Sequence, residues 1–221
     1  MRHANTVGWT LNTTKLLSAL STPPGSRTFP HPALVNAIYL WGSRLSNNTS
    51  ISGPQIERAF FDRSCTYLQL NLMDQTPQGG LQAVQTEILL ATYLYSSGRT
   101  LEADYHINAT VRLCLSHGMH RIVPQTTGEP TSVSASGMIL QSIDEVDKRE
   151  SISVFWMAFI IDRLWAIINN KPALMKQENG AGVVITTPLP LSETEYEQVS
   201  VRIISLPLLN RSYRAASLIL P

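Results

Sequence analysis

The sequence predicts an all-α fold: a bundle of antiparallel helical hairpins with one long Pro/Gly-rich loop. Three observations carry that expectation. Apolar residues recur every three to four positions in 32–46 and again through 81–118. Gly98 breaks the second stretch so briefly that the helices on either side of it are expected to be antiparallel neighbours. Residues 148–169 hold a dense apolar run, wide enough for a helix buried over most of its circumference. Composition agrees with a large buried fraction. Of 221 residues, 43% are hydrophobic and 15% charged, against roughly 25% charged in an ordinary soluble domain.

Taken in order, residues 1–30 read as an N-terminal segment, partly flexible, and 31–206 as the helical domain. Residues 21–32 (STPPGSRTFPHP) form a loop, because four prolines and a glycine cannot continue a helix. Pro32 suits the first position of the next helix. Ala33, Leu34, Ala37, Ile38, Trp41 and Leu45 then lie on one face. Ser52 and Gln55 fit a capping box that restarts a helix at Pro54, with Ile56, Phe60, Cys65 and Leu68 expected on the buried side. Residues 75–80, with Pro77, Gly79 and Gly80, are expected to close it as a loop.

The next helix places Leu81, Val84, Ile88, Ala91 and Tyr95 on one face and stops at Gly98 in the left-handed conformation. A helix from Thr100 follows, with Leu101, Tyr105, Val111 and Leu115 leading to His117 and a cap at Gly118. Residues 124–137 are rich in Pro, Gly, Ser and Thr and read as an exposed loop. In 148–169, Phe155, Trp156, Phe159, Ile160, Leu164 and Ile167 are expected to wrap a central helix, ended by Asn169-Asn170-Lys171-Pro172. Residues 183–190 are extended, because Pro188 and Pro190 forbid helix. A last helix is expected from Glu193 to about Ile204, and 207–221 reads as a truncated apolar segment whose partner surface continues beyond the chain.

Several function classes are disfavoured. Seventeen basic against sixteen acidic residues, a net charge of +1, do not make a nucleic-acid grip by themselves. The first twenty residues lack the unbroken apolar core of a signal peptide, so the triplets at Asn48 and Asn108 are chance matches to a glycosylation signal. Cys65 and Cys114 read as free thiols in a reducing compartment. Val154–Ile168 is too short for a membrane span and carries Asp162 and Arg163, so it reads as a core helix. There is no nucleophile elbow, phosphate-binding loop or HExxH motif. The Asp144, Glu145 and Asp147 run reads as a solvated helix start, so no catalytic residue is expected.

His117 and His120 lack further metal ligands at suitable spacing, and a helix C-terminus favours cationic groups such as His120 and Arg121. No metal site and no cofactor are therefore expected in this chain. Asp162 and Arg163 are the most informative polar residues. Leaving either buried and unpaired would cost on the order of 3–5 kcal/mol. Consecutive helical residues point about 100° apart, so the two are expected to serve different partners. Asp162 would accept from backbone groups or an Arg of a neighbouring helix, and Arg163 would reach an edge or a ligand. Trp41, Phe155, Trp156, Phe159 and Trp165 could line an effector pocket, although aromatic stripes more commonly fill a core.

Three segments together point to a family: HPALVNAIYLWGSRLS (31–46), AVQTEILLATYLYSSGRTLEADYHINATVRLCLSHGMHRI (83–122) and KRESISVFWMAFIIDRLWAIINNKPALM (148–175), followed by ITTPLPL (185–191). In order and spacing they resemble the fungal-specific transcription factor domain, or middle homology region, of fungal binuclear-zinc-cluster regulators. The family's GLHR-like turn is matched by Gly118-Met119-His120-Arg121. Its helix with the "FW…DR…grP" pattern is matched by Phe155-Trp156, Asp162-Arg163 and Lys171-Pro172. Its "I...lP" segment is matched by Ile185 and Leu189-Pro190. Met119 and Lys171 depart from the commoner family residues.

The resemblance implies a nuclear regulatory domain that modulates transcription through protein partners, the rest of a transcription factor or a small-molecule effector. His120, Arg121, Asp162 and Arg163 are then the candidate contacts. It implies zinc only in a six-cysteine cluster that these 221 residues lack, and DNA contact only through that missing module, so the chain reads as a fragment or a shortened regulator. A stand-alone tetratricopeptide-like scaffold is the alternative, suggested by Ala91–Ala103. One period of 34 residues from Gly98 falls at Ser132 in the Pro/Gly-rich loop, which leaves a single copy. An enzyme is the third alternative and would need a convergent acid–base pair or a bound cofactor.

Overall fold

The computed structural model describes residues 8–26, 28–71, 76–122, 145–176 and 183–190. Regular structure among them is entirely helical, as the apolar spacing predicts. The helices are α1 (Thr13–Leu20), α2 (Pro32–Leu45), α3 (Pro54–Asn71), α4 (Pro77–Ser96), α5 (Thr100–Ser116) and α6 (Glu145–Ile168), with a single 3-10 turn at Met119–Arg121. The loop expected at 124–137, the helix expected from Glu193 and the 207–221 segment lie outside the described residues.

Local chemistry explains most boundaries. Pro32 opens α2 and the His31 ring accepts from the Ala33 amide at its cap. Gly98 and Gly118 end α4 and α5 with φ of 75° and 68°, the left-handed conformation that glycine adopts without a Cβ penalty. One helix is additional to those expected, and two expectations need correction. α1 forms within the N-terminal segment, capped by the Asn12 side chain on the Lys15 amide. Residues 77–80 are the first turn of α4, not a loop. Thr76 caps the helix through the Gly79 amide and Pro77 needs no donor there. At α3, the Glu57 amide bonds the Gly53 carbonyl, so the cap is Gly53 and the expected Ser52–Gln55 box is out of register by one.

Two apolar cores share one wall. In the first, Ala33, Leu34, Ala37, Leu40 and Trp41 of α2 pack with Phe61 and Leu68 of α3 and with Ala83, Leu89, Leu90, Tyr93 and Leu94 of α4. In the second, Leu81, Val84, Ile88 and Ala91 of α4 pack with Ile107, Val111 and Cys114 of α5 and with Val154, Phe155, Ala158, Phe159 and Ile161 of α6. α4 is therefore covered on both sides. The buried face of α3 is Phe61, Ser64 and Leu68. Ile56, Phe60 and Cys65, expected inside, are only half-buried.

On α5, Leu101 and Tyr105 face outward, and Ala103, His106, Ile107 and Thr110 go inside instead. α6 is one-sided rather than wrapped. Ile160, Leu164 and Ile167 are 49%, 47% and 72% exposed, against 0% for Phe155. At 23 residues, Val146–Ile168 is long and apolar enough to cross a membrane by length and composition, but half of it is buried within this protein.

Candidate functional site

The Asp162 and Arg163 side chains act on one segment, not on separate partners. α6 ends at Ile168, and Asn170 takes a left-handed φ of 50°. The Lys171 amide bonds back to the Ala166 carbonyl at 2.9 Å, which reverses the chain. Residues 171–176 then return alongside α6. Asp162 is 2% exposed, and its two carboxylate oxygens accept the amides of Leu174 and Met175 at 2.9 and 3.0 Å. Arg163 donates to the Met175 carbonyl, and its guanidinium lies 4.9 Å from the centre of the Phe159 ring. A buried carboxylate is tolerated because backbone donors replace its water. Met175, whose two backbone groups are both held this way, is fully buried in the α5–α6 core. Lys171 also reaches Asp104 of α5 at 2.6 Å.

A second set of bonds holds residues 183–190. The left-handed Gly118 turns the chain into the 3-10 turn, whose His120 carbonyl accepts the Thr186 amide at 2.9 Å. The buried Thr187 hydroxyl donates to the Met119 carbonyl at 2.6 Å and accepts from the Ile122 amide at 3.1 Å. Trp156 of α6 donates its indole N–H to the Pro188 carbonyl at 2.5 Å. Segments that are far apart in sequence, 118–122, 155–163, 174–175 and 185–188, therefore form one connected unit.

Within that unit the His120 ring is buried and its Nδ1 has no partner among the described residues. Burial, and then the positive charge of Arg121, hold its pKa below the usual imidazole range. Arg121 itself points to solvent. His117, three residues earlier, lies against Gly80, and burial depresses its pKa too.

The five aromatic candidates do not meet as one set. Phe155, Trp156 and Phe159 form a packed trio, with Trp156 5.4 and 5.5 Å from its two neighbours. Trp165 packs instead against Tyr95, the rings tilted by 46° and their centres 4.1 Å apart. Trp41 belongs to the other core, where its indole donates to the Leu89 carbonyl at 2.9 Å and its ring meets Tyr93 edge-on. These side chains fill cores.

Two features escaped the sequence reading. Glu87 and His106 form a buried pair at 2.5 Å between α4 and α5. Nothing in either helix's pattern joins two polar residues 19 apart. The other is an apolar outer face on α6, Ile160, Leu164 and Ile167, with Ile168 56% exposed beside it. Its four- and three-residue spacing is visible in the sequence, but that spacing also describes a core stripe.

A family model described as fungal specific transcription factor domain matches residues 10–218. No curated protein and no solved structure matches the chain.

Proposed function

The chain belongs to the fungal-specific transcription factor domain family, and from that premise we propose that it is a regulatory domain acting in the nucleus by contact with protein. The apolar outer face of α6 carries this reading. Ile160, Leu164, Ile167 and Ile168 are each about half exposed or more. Leu174, in the segment that Asp162 and Arg163 hold in place, is 42% exposed as well. Contiguous exposed aliphatic surface marks association sites. An aliphatic face suits the apolar surface of another protein, or of another part of the same regulator, and not a phosphate backbone. DNA reading and zinc would then fall to a separate cysteine-rich module.

The candidate residues take positioning roles in this reading. Asp162 and Arg163 fix residues 174–175 against α6, and the His120 carbonyl anchors 186–187. The test is a reporter driven by the whole chain fused to an unrelated DNA-binding domain. Leu164→Glu with Ile167→Glu is expected to change reporter output by several-fold while the melting temperature of the purified chain stays within a few degrees. An unchanged output at unchanged protein level would overturn the reading.

A further inference from the structure

Trp156 stands one turn before Ile160 on the same face of α6, and the two differ sharply in cover. Trp156 is 8% exposed and Ile160 49%. Part of the cover over Trp156 is a later stretch of this chain, since its indole N–H reaches the Pro188 carbonyl at 2.5 Å. Positions 156, 160, 164 and 167 fall within ~80° of one another around a helix. The stripe is thus closed where residue 188 meets it and open from Ile160 onward. The described chain leaves at Pro190, two residues past that contact and itself exposed.

Residues 191–221 follow in the sequence. The helix expected from Glu193 puts Tyr196, Val199 and Ile203 on one face, and Leu206 extends that row before Pro207 stops it. The row is ~15 Å long, against ~12 Å from Ile160 to Ile168. Residues 189–192 span up to ~13–14 Å from Pro188, and Leu164 lies ~12 Å along the axis from Trp156. A helix that starts at Glu193 therefore begins within reach of the middle of the stripe. The family match runs on to residue 218, so this stretch belongs to the same domain as α6. Tethering favours it over a second copy of the chain. A short linker supplies an effective concentration on the order of millimolar, far above that of a protein at micromolar concentration.

We infer that residues 193–206 dock on the open stripe of α6, with the Tyr196–Leu206 row against Ile160, Leu164 and Ile167. The inference rests on the reading of that face as a contact surface and names its occupant as a segment of the same chain. An external protein could then use the face only by displacing the segment, so 193–206 sets access to it.

The experiment is cross-linking of the whole purified chain with a short bifunctional maleimide. Leu164→Cys is paired with Ile203→Cys, two mid-row positions that meet whichever way the segment runs along α6. The comparison pairs Ile203→Cys with Leu70→Cys, 54% exposed on α3, and the single variants set the background from the native thiols. The expected result is a cross-link within one molecule for L164C/I203C, at a rate unchanged by dilution and at least about tenfold faster than for L70C/I203C. Leu164→Cys with Val199→Cys repeats the measurement at a second position of the row. Equal rates for the two pairs would overturn the inference. So would a cross-link between molecules that slows on dilution, which assigns the face to a second copy, and so would no cross-link at all. The readout is proximity in the purified chain, whereas the reporter reads transcription. A failed cross-link with a responsive reporter removes the segment and keeps the contact surface, and a cross-link with a silent reporter does the reverse.

Discussion

Gly80 of α4 and the imidazole of His117 occupy adjoining space so tightly that a Cβ on residue 80 would overlap the ring. The contact brings the start of α4 against the residue that caps α5. It also explains a glycine in a helix, where it is normally about 1 kcal/mol worse than alanine.

Gly80→Ala is therefore expected to destabilise the fold by about 1–3 kcal/mol, the range for overpacking, despite the gain in helix propensity. Trimming the ring should relieve it. In urea denaturation, Gly80→Ala added to His117→Ala should cost less than Gly80→Ala alone, a non-additivity expected of residues in contact. Additive effects would show that the ring is not what excludes a methyl group.

The Asp162 carboxylate is matched to two amides, and an amide side chain is not. Asp162→Asn keeps one accepting oxygen and turns an NH2 toward the other backbone donor. The expected loss is roughly 2–4 kcal/mol, from one broken charge-assisted bond and one buried unpaired N–H. Faster hydrogen exchange at the Leu174 and Met175 amides should accompany it. A midpoint shift without a change at those two amides would contradict the assignment of the bonds.

Acid should weaken this protein before most carboxylates titrate. Burial holds the pKa values of His117 and His120 below the ordinary 6.5 in the folded state. Below 6.5 the unfolded chain takes up protons that the folded one resists, so stability is full above that value. It falls as pH drops from 6.5 through the lower folded values. Glu150 has the opposite sign. Burial raises its folded pKa above 4.5, so its contribution is present below 4.5 and lost as pH rises through the folded value. Urea midpoints measured against pH should slope upward toward 6.5, and His117→Gln with His120→Gln should flatten that slope.

Neither thiol is poised to react. Burial first, then Glu87 and Asp62, push Cys65 up to about 11, and complete burial raises Cys114 as well. A thiol reagent at neutral pH should label Cys65 slowly and Cys114 only on unfolding. Rapid labelling of Cys114 in the native chain would contradict its place in the α5–α6 core.

Much of this architecture was legible in the sequence because one-dimensional signals coincide. In α2, Pro32 and the apolar face agree. At Gly98 and Gly118 the breaker stands where the periodicity stops. Signals that conflict were misread. Gly79 and Gly80 argue against helix, but Thr76-Pro77 is a helix start, and the His117 contact decides in favour of helix. Adjacent Phe60 and Phe61 satisfy two faces of α3 equally, and only the facing α2 and α4 select Phe61. For the candidate site, the need to satisfy a buried Asp162 carboxylate leaves backbone groups and an Arg of a neighbouring helix both open, and the structure supplies backbone amides. These partners lie twelve and thirteen residues on, beyond a chain reversal that no periodicity encodes. The pairing of Glu87 with His106 depends on how α4 and α5 dock, which spacing alone does not specify.

α4 is lined with core on both sides, so the two halves of the bundle cannot loosen independently without stripping the same rod. Amide protons near Ile88 and Leu90 should be the last in the chain to be replaced by deuterium. A partner that pulls on either half would be felt across the other, since the wall they share has no free side on which to slide.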